Sequence, residues 1–287
     1  MPRPIASIAV VGGGFMGGGI AETAAIAGIP VVLRELPEYL DATRQRLEGS
    51  LDRAVKRGKH TAAERDSALA RITLTSELKD VADSDLVIEA VPEDVELKTS
   101  IMKELAGIVA DDAVIASNTS SIPIAQLASA VHNPDRVVGL HFFSPVPVMA
   151  LVEIVRALDT SDETIERAQV LAEALGKQAI ETKDRSGFIV NFLLIPYLMA
   201  AVRMYEDDFA TREDIDEGMK LGAGHRMGPL TLCDFIGLDV LHAVCNSLYE
   251  EFKRDEYAPP PLMKRMIAAG RLGRKSGRGF YDYATGA

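Results

Sequence analysis

Between Gly12 and Gly19 the chain sets six glycines in eight residues. Inside a helix or strand glycine is destabilising, because it has more backbone freedom to lose on folding. A run this dense belongs where the backbone turns tightly or where another group comes close. The residues before it, SIAVVG (Ser7–Gly12), read as a buried strand, Gly17 to Ala27 as a helix, and VVLRE (Val31–Glu35) as the next strand. Gly12, Gly14 and Gly17 then fall in the G-x-G-x-x-G spacing of a strand-to-helix turn. The first glycine permits the turn, the second lets a pyrophosphate reach the backbone, and the third lets the helix pack on the strand. The helix N-terminus offers the phosphates unmet N–H groups and a favourable dipole. Phe15 and Met16 lie within this turn and are expected beside the cofactor. Glu35 ends the second strand, where a carboxylate meets the adenosine ribose hydroxyls and repels a 2′-phosphate. The expected cofactor is therefore NAD in preference to NADP, although Arg34 beside Glu35 works against that preference.

The alternation continues. Helical patterns over Glu38–Arg57 and Ala62–Ala70 precede strands at Ile72–Ser76 and Asp85–Ala90; a helix over Pro92–Ala110 leads to AVIASN (Ala113–Asn118). Further strands are read at Arg136–Phe143, Leu151–Ala157 and Gln178–Lys183, with a helix over Asp162–Leu175. Short apolar strands separated by helices imply parallel pairing through right-handed crossovers, a doubly wound α/β sheet. After Gly187 only helical patterns remain: Gly187–Glu206, Thr211–Leu221, Pro229–Phe252 and Pro261–Ala269, then a basic, glycine-rich tail read as irregular. The change of pattern places a domain boundary between residues 185 and 186.

The 287 residues are 47% hydrophobic, enough for a sizeable core, and carry a formal net charge of −11. That balance argues against broad nucleic-acid binding, which needs a basic footprint. Arg53, Lys56, Arg57 and Lys59 nonetheless cluster on this acidic chain, as a solvated helix face or as a local anion site. Cys233 and Cys245 form no C-x-x-C pair, and His242-x-x-Cys245 alone is no metal site, so no metal is expected. The uncharged stretch from Pro4 to Ala21 is too glycine-rich for a leader segment. The run from Ser186 to Val202, interrupted by Asn191 and Pro196, reads as a buried helix and not as a membrane span. Together these point to a cytoplasmic protein with no membrane partner.

Two residues stand out as chemistry. His141 closes an apolar strand at the sheet edge where ligands bind in open α/β folds. Glu153 is a carboxylate inside the apolar strand LVEIVRA, and a buried carboxylate needs a partner. If the two strands are neighbours, the carboxylate can orient the imidazole and stabilise its charged form, making a general base. ASNTSS (Ala116–Ser121) follows another strand end; its hydroxyls line a pocket or start a helix at Ser121-Ile122-Pro123. Asn191, in the apolar helix VNFLLIPYL, is satisfied locally or points at a ligand.

Taken together, VVGGGFMGGGIA, DLVIEAVPED, ASNTSS, GLHFFSPVPVMALVE, GFIVN, DIDEGMKLGAGHRMGPL, IGLDV and RKSGRGFYDY resemble the L-3-hydroxyacyl-CoA dehydrogenases, in their short bacterial 3-hydroxybutyryl-CoA dehydrogenase form. The resemblance implies an α/β Rossmann-like NAD-binding domain over residues 1–185 and an all-α C-terminal domain over 186–287 that makes most of a homodimer. It implies that His141 is the catalytic histidine and Glu153 its partner. Ser120 and Asn191 would line the reacting centre, and both also count among the substrate contacts. Glu35, Glu93, Lys98, Ser120 and Lys275 would contact NAD, and Ser50 and Arg57 the CoA moiety. Three positions depart from the family pattern. Ser144 replaces an asparagine near the nicotinamide, Phe192 an arginine, and Arg226 a proline. The implied reaction is reversible oxidation of a short L-3-hydroxyacyl-CoA. A hydroxyacyl group on a carrier protein or a free hydroxy acid is the alternative substrate, and a non-catalytic family member the alternative class.

Overall fold

The structure, a computed structural model, describes residues 5–283 and divides into two compact units, one through Arg185 and one from Ser186. The first unit runs β1 (Ile8–Val11), α1 (Phe15–Ile26), β2 (Val31–Arg34), α2 (Leu40–Lys56), α3 (Ala62–Ala70), β3 (Ile72–Thr75), β4 (Leu86–Glu89), α4 (Val95–Ile108), β5 (Val114–Ser117), α5 (Ile124–Ala128), β6 (Val137–Phe142), β7 (Leu151–Arg156), α6 (Asp162–Ala174) and β8 (Gln178–Lys183). Its eight strands form one sheet in the order β3-β2-β1-β4-β5-β6-β7-β8. The first six are mutually parallel, β7 is antiparallel to β6, and β8 is parallel to β7. Strands β1, β4, β5 and β6 are buried throughout, as expected of apolar strands covered on both faces. The edge strand β8 is largely exposed and carries Glu181 and Lys183, charges that blunt an open edge. The chain winds outward from β1 toward β3 and then returns to begin again at β4. The crevice between β1 and β4 is thus the switch point at which open α/β sheets take ligands.

Glycine geometry makes the β1–α1 turn. Gly12 has φ +101°, and a Cβ there would stand 2.7 Å from the Ala90 carbonyl oxygen. A Cβ on Gly17 would stand 1.8 Å from the Gly12 carbonyl oxygen. The helix starts at Phe15, inside the glycine run and two residues before the expected Gly17, because Gly14 already serves as its N-cap. Gly13 is pressed against Thr43, and Gly19 against Val146. Close approach therefore accounts for two of the three glycines outside the G-x-G-x-x-G pattern; Gly18 has only ordinary contacts.

The second unit holds α7 (Val190–Glu206), α8 (Arg212–Ala223), α9 (Pro229–Ile236), α10 (Leu238–Phe252) and α11 (Pro261–Ala268) around a core that includes Leu198, Leu230, Leu241 and Met263. The single helix expected over Pro229–Phe252 is two. Gly237, at φ +105°, breaks it, and the halves meet at 97°. Among the described residues no single helix is long and apolar enough to cross a membrane; only this bent pair has the length and composition, taken together. The glycine-rich tail is irregular, as read, but firmly pinned. Buried Asp234 accepts from the backbone N–H of Phe280 and Tyr281 and from the Tyr283 hydroxyl, all at 2.9–3.0 Å. Phe192 lies in this unit's aromatic cluster, its ring 5.4 Å from Phe252 and 5.6 Å from Tyr257. Arg226 is exposed in the turn before α9.

Gly17→Ala should destabilise the first unit by about 3 kcal/mol, the upper range for forcing atoms into a packed interior. Denaturant unfolding measures it, and an unchanged midpoint would contradict the packing described for the turn.

Candidate functional site

The crevice opens where the C-terminal ends of β1, β4, β5 and β6 lie side by side. Helices α3, α4, α6 and α8 each start with a side-chain cap, from Thr61, Asp94, Ser161 and Thr211. Helix α1 has none. Its first N–H groups therefore face the crevice without a side-chain acceptor, the arrangement that suits a phosphate. A Cβ built on Gly14 meets nothing within 4 Å, so the space over this glycine is open. Glu35 follows directly on β2. Its Oε2 accepts from Gly13 N at 2.8 Å and its Oε1 from Leu36 N at 2.7 Å, which aims the carboxylate at the turn. Arg34 is drawn away, its Nε donating to the Ser76 carbonyl at 3.3 Å. An open cradle over Gly14, an uncapped helix and an acid at the end of β2 fit the dinucleotide NAD.

At the other wall stands the dyad. β6 and β7 pair antiparallel with His141 directly opposite Glu153, and His141 Nδ1 lies 2.7 Å from Glu153 Oε2. The histidine is 4% exposed and the glutamate fully buried. The ring of Phe143 tilts against the imidazole at 4.5 Å between centroids. The carboxylate selects the tautomer that carries a proton on Nδ1 and directs the exchangeable lone pair to Nε2. Ser144 follows on the exposed loop between the two strands.

Between these walls the ends of β4 and β5 carry a buried charge cluster. Glu89 Oε1 lies 2.7 Å from Lys98 Nζ and accepts from Val91 N at 2.7 Å; its Oε2 accepts from the Ser117 hydroxyl at 2.6 Å. Lys98 also donates to the Val91 carbonyl at 3.0 Å and lies 3.4 Å from Glu93 Oε2. Glu93 Oε1 in turn accepts from the Thr119 hydroxyl, Ser120 N, Ser121 N and the Ser121 hydroxyl at 2.6–3.1 Å. Burial works against the Glu93 charge, but Lys98 and these donors outweigh it and hold the carboxyl below its ordinary pKa. Ser121 is thus not the cap of α5. That helix starts at Ile124, and Asp184 beyond β8 accepts from Ile124 N and Ala125 N at 2.7–2.8 Å. Asn118 Oδ1 accepts from Phe142 N at 3.0 Å, tying this loop to the end of the histidine strand.

A cavity of about 260 Å³ lies beside α1 and α2, lined among others by Glu22, Ser50, Arg53, Arg57, Val146 and Pro147. Arg46, Lys59 and His60 also line it, so the basic cluster read from sequence surrounds a cavity, although Lys56 is not part of the wall. Glu22 is 5% exposed. Burial pushes its carboxyl above the ordinary value, and the Ser50 hydrogen bond and nearby Arg53 and His60 offset only part of that. In the second unit Asn191 is half-buried in the first turn of α7. Lys275 Nζ there pairs with Asp239 Oδ2 at 2.6 Å, at the start of α10. The first unit therefore gathers Gly12, Gly14, Glu35, Glu93, Ser120, His141 and Glu153 around one crevice. Sequence reading passed over Glu22, Glu89 and Arg46. The signal for the two glutamates was present, since each is a lone carboxylate in an apolar segment, as Glu153 is. Among the described residues no cluster of three His, Cys, Asp or Glu could hold a metal.

Residues 7–185 match the family model for the 3-hydroxyacyl-CoA dehydrogenase NAD binding domain, and residues 187–283 the model for the C-terminal domain. A curated 3-hydroxybutyryl-CoA dehydrogenase of Mycobacterium tuberculosis is 52% identical over 99% of this chain and 100% of its own. A probable 3-hydroxybutyryl-CoA dehydrogenase of Bacillus subtilis is 44% identical, over 97% and 98%. Among solved structures, M. tuberculosis FadB2 superposes with a TM-score of 0.97 at 52% identity, covering 98% of this chain and 100% of the other. The (S)-3-hydroxybutyryl-CoA dehydrogenase PaaH1 of Ralstonia eutropha superposes with a TM-score of 0.92 at 46% identity, covering 97% and 99%. The chain is an NAD-binding oxidoreductase and belongs to the 3-hydroxyacyl-CoA dehydrogenase family.

Proposed function

We propose that the protein interconverts an L-3-hydroxyacyl-CoA and its 3-oxoacyl-CoA, with 3-hydroxybutyryl-CoA as the preferred substrate. The observation that carries this reading is the buried His141–Glu153 pair at 2.7 Å, set at the edge of the crevice that fits the dinucleotide. NAD, when bound, supplies the hydride acceptor. His141 takes the proton of the substrate hydroxyl at Nε2, and in the reverse direction returns it to the carbonyl oxygen. Glu153 holds the ring and balances the imidazolium while it lasts. Ser120 and Asn191 orient the reacting oxygen. Gly14, with Phe15 and Met16 in the same turn, receives the pyrophosphate; Glu35 receives the ribose, and Ser144 and Lys275 contribute further contacts. The cavity beside α2 takes the CoA moiety, with Ser50 and Arg57 as direct contacts. Its cationic wall gives an anionic thioester a local attraction on a chain of net charge −11.

The protein acts as a homodimer through its second unit, where Leu193, Phe209 and Leu221 are 66–82% exposed, and it works in the cytoplasm. Sedimentation at micromolar concentration should give twice the monomer mass of 31.0 kDa, and a monomer would overturn the assembly.

His141→Gln should lower kcat for acetoacetyl-CoA reduction by roughly 10²–10⁴-fold, the range of general acid–base catalysis, with NADH binding unchanged by fluorescence titration. Near-normal turnover would overturn the assignment. Glu153→Gln should lose about 10²-fold. Gly14→Ala should keep the unfolding midpoint, because its Cβ meets nothing, yet weaken NADH binding about tenfold or more. The same assay with carrier-bound and free 3-oxo acids separates the thioester from other acyl donors.

Glu22 has a pH signature. Its folded carboxyl titrates above the ordinary 4.5, so the stability that it contributes is fully present below that pH and is lost as pH rises through the folded value. Glu22→Gln, which cannot ionise, should melt higher than the parent at neutral pH, and the difference should vanish on acidification. A neutral-pH melting temperature below the parent's would show that the ionised carboxylate is the stabilising form.

A further inference from the structure

The Glu89–Lys98–Glu93 cluster is a larger buried charge network than a dinucleotide crevice needs. The family resemblance makes Lys98 a cofactor contact, yet its side chain is 1% exposed. An ammonium has three N–H donors. Those of Lys98 have Glu89 Oε1, the Val91 carbonyl and Glu93 Oε2 around them. Reaching a phosphate would mean giving up one of them inside a low-dielectric site, where an uncompensated charge is costly. Glu93 completes the sequence of contacts, since one of its oxygens collects four donors from Thr119, Ser120 and Ser121. None of those four bonds uses the Ser120 hydroxyl, so the loop backbone is clamped while that hydroxyl is left to the crevice.

We propose that Glu89 and Lys98 are positioning residues that act through Glu93 to hold the Thr119–Ser121 loop, and with it the Ser120 hydroxyl, in register with the reacting centre. Glu89 is the anchor. It ties the end of β4 to the end of β5 through Ser117, and to the β4–α4 loop through Val91. Lys98 passes that fixed point from α4 to Glu93, and Glu93 passes it to the loop. Neither Glu89 nor Lys98 touches the cofactor in this account, and the role rests on Ser120 acting as proposed above.

A double-mutant cycle tests it. Lys98→Met alone would bury two carboxylates without a cation and could unfold the protein. The informative variant is therefore Glu89→Gln with Lys98→Met, which removes one charge of each sign and keeps an amide acceptor for Ser117 and Val91. It is measured alone and combined with Ser120→Ala, by NADH fluorescence titration, acetoacetyl-CoA turnover and backbone hydrogen exchange. The expected result is an NADH affinity within about threefold of the parent, a kcat about tenfold lower or more, and lost protection of the Ser120 and Ser121 amides. In the Ser120→Ala background the same pair of changes should alter kcat by less than about twofold, because both act through one group. A tenfold loss of NADH affinity would show Lys98 to be a cofactor contact and overturn the proposal, as would losses of kcat that multiply. Retained amide protection would overturn it independently of any activity. If the parent itself fails to turn over acetoacetyl-CoA, the functional reading falls, while exchange and NADH titration still decide the clamp.

Discussion

The antiparallel pairing of β6 with β7 is the constraint on which the chemistry rests. Strands β1 to β6 run in one direction, so their C-terminal ends share the edge at which the crevice opens. Had β7 continued that direction, its first residues would have started at the opposite edge, far from His141. Because it runs back, Leu151 and Val152 begin beside Phe142, and Glu153 stands across from His141. Directly opposed residues on neighbouring strands project to the same face at a separation that side chains can bridge. A slip of one residue would turn Glu153 to the other face and leave both groups buried without each other. The dyad is thus a property of register, and register is enforced by the apolar residues that alternate with it.

The cofactor side follows from a different economy of hydrogen bonds. Most helices of the first unit that begin at the surface bring their own cap, and α5 borrows one from Asp184. Helix α1 begins with glycine and has no side-chain cap. Any capping side chain would occupy the space that a phosphate must enter. The same turn is closed by backbone approaching backbone, Gly17 on the Gly12 carbonyl and Gly12 on the Ala90 carbonyl, so no side chain comes between strand and helix. Tight packing below the turn and emptiness above it are therefore one arrangement.

Local signals were legible in the sequence and distant ones were not. The strand–turn–helix with its acid at Glu35 is written within one short segment, and the alternation of apolar strands with helices follows period and composition. The His141–Glu153 pair was readable because a carboxylate in an apolar strand demands a partner and a hairpin supplied one. Gly237 was read as part of a helix because a glycine in a helical pattern does not announce a break. What breaks it is a positive φ beside Asp239 and Lys275, whose place depends on the folded tail. Ser121 has the sequence of a cap, but Glu93, 28 residues earlier, claims it first, and Asp184, 60 residues from Ile124, does the capping. The tail's composition says loop; only the buried carboxylate of Asp234 makes it rigid.

Three carboxylates in the first unit interrupt apolar segments, and their surroundings separate them. Glu153 has an imidazole at 2.7 Å and Glu89 an ammonium at 2.7 Å, each with its geometry set by neighbouring strands and helices. Burying an ionised carboxylate without such a partner is strongly unfavourable, which is why these two sit where a second element can reach them. Glu22 is almost as buried, yet burial outweighs its hydrogen bond from Ser50 and the influence of Arg53 and His60, and its carboxyl is biased toward the neutral form. It is also the one of the three that lines the open cavity. A neutral carboxyl there donates a hydrogen bond and does not repel an anion, whereas an ionised one would cancel part of the attraction of Arg53 and Arg57. Incomplete compensation at Glu22 is therefore consistent with a wall shaped for a negatively charged ligand and not for the stability of the empty fold.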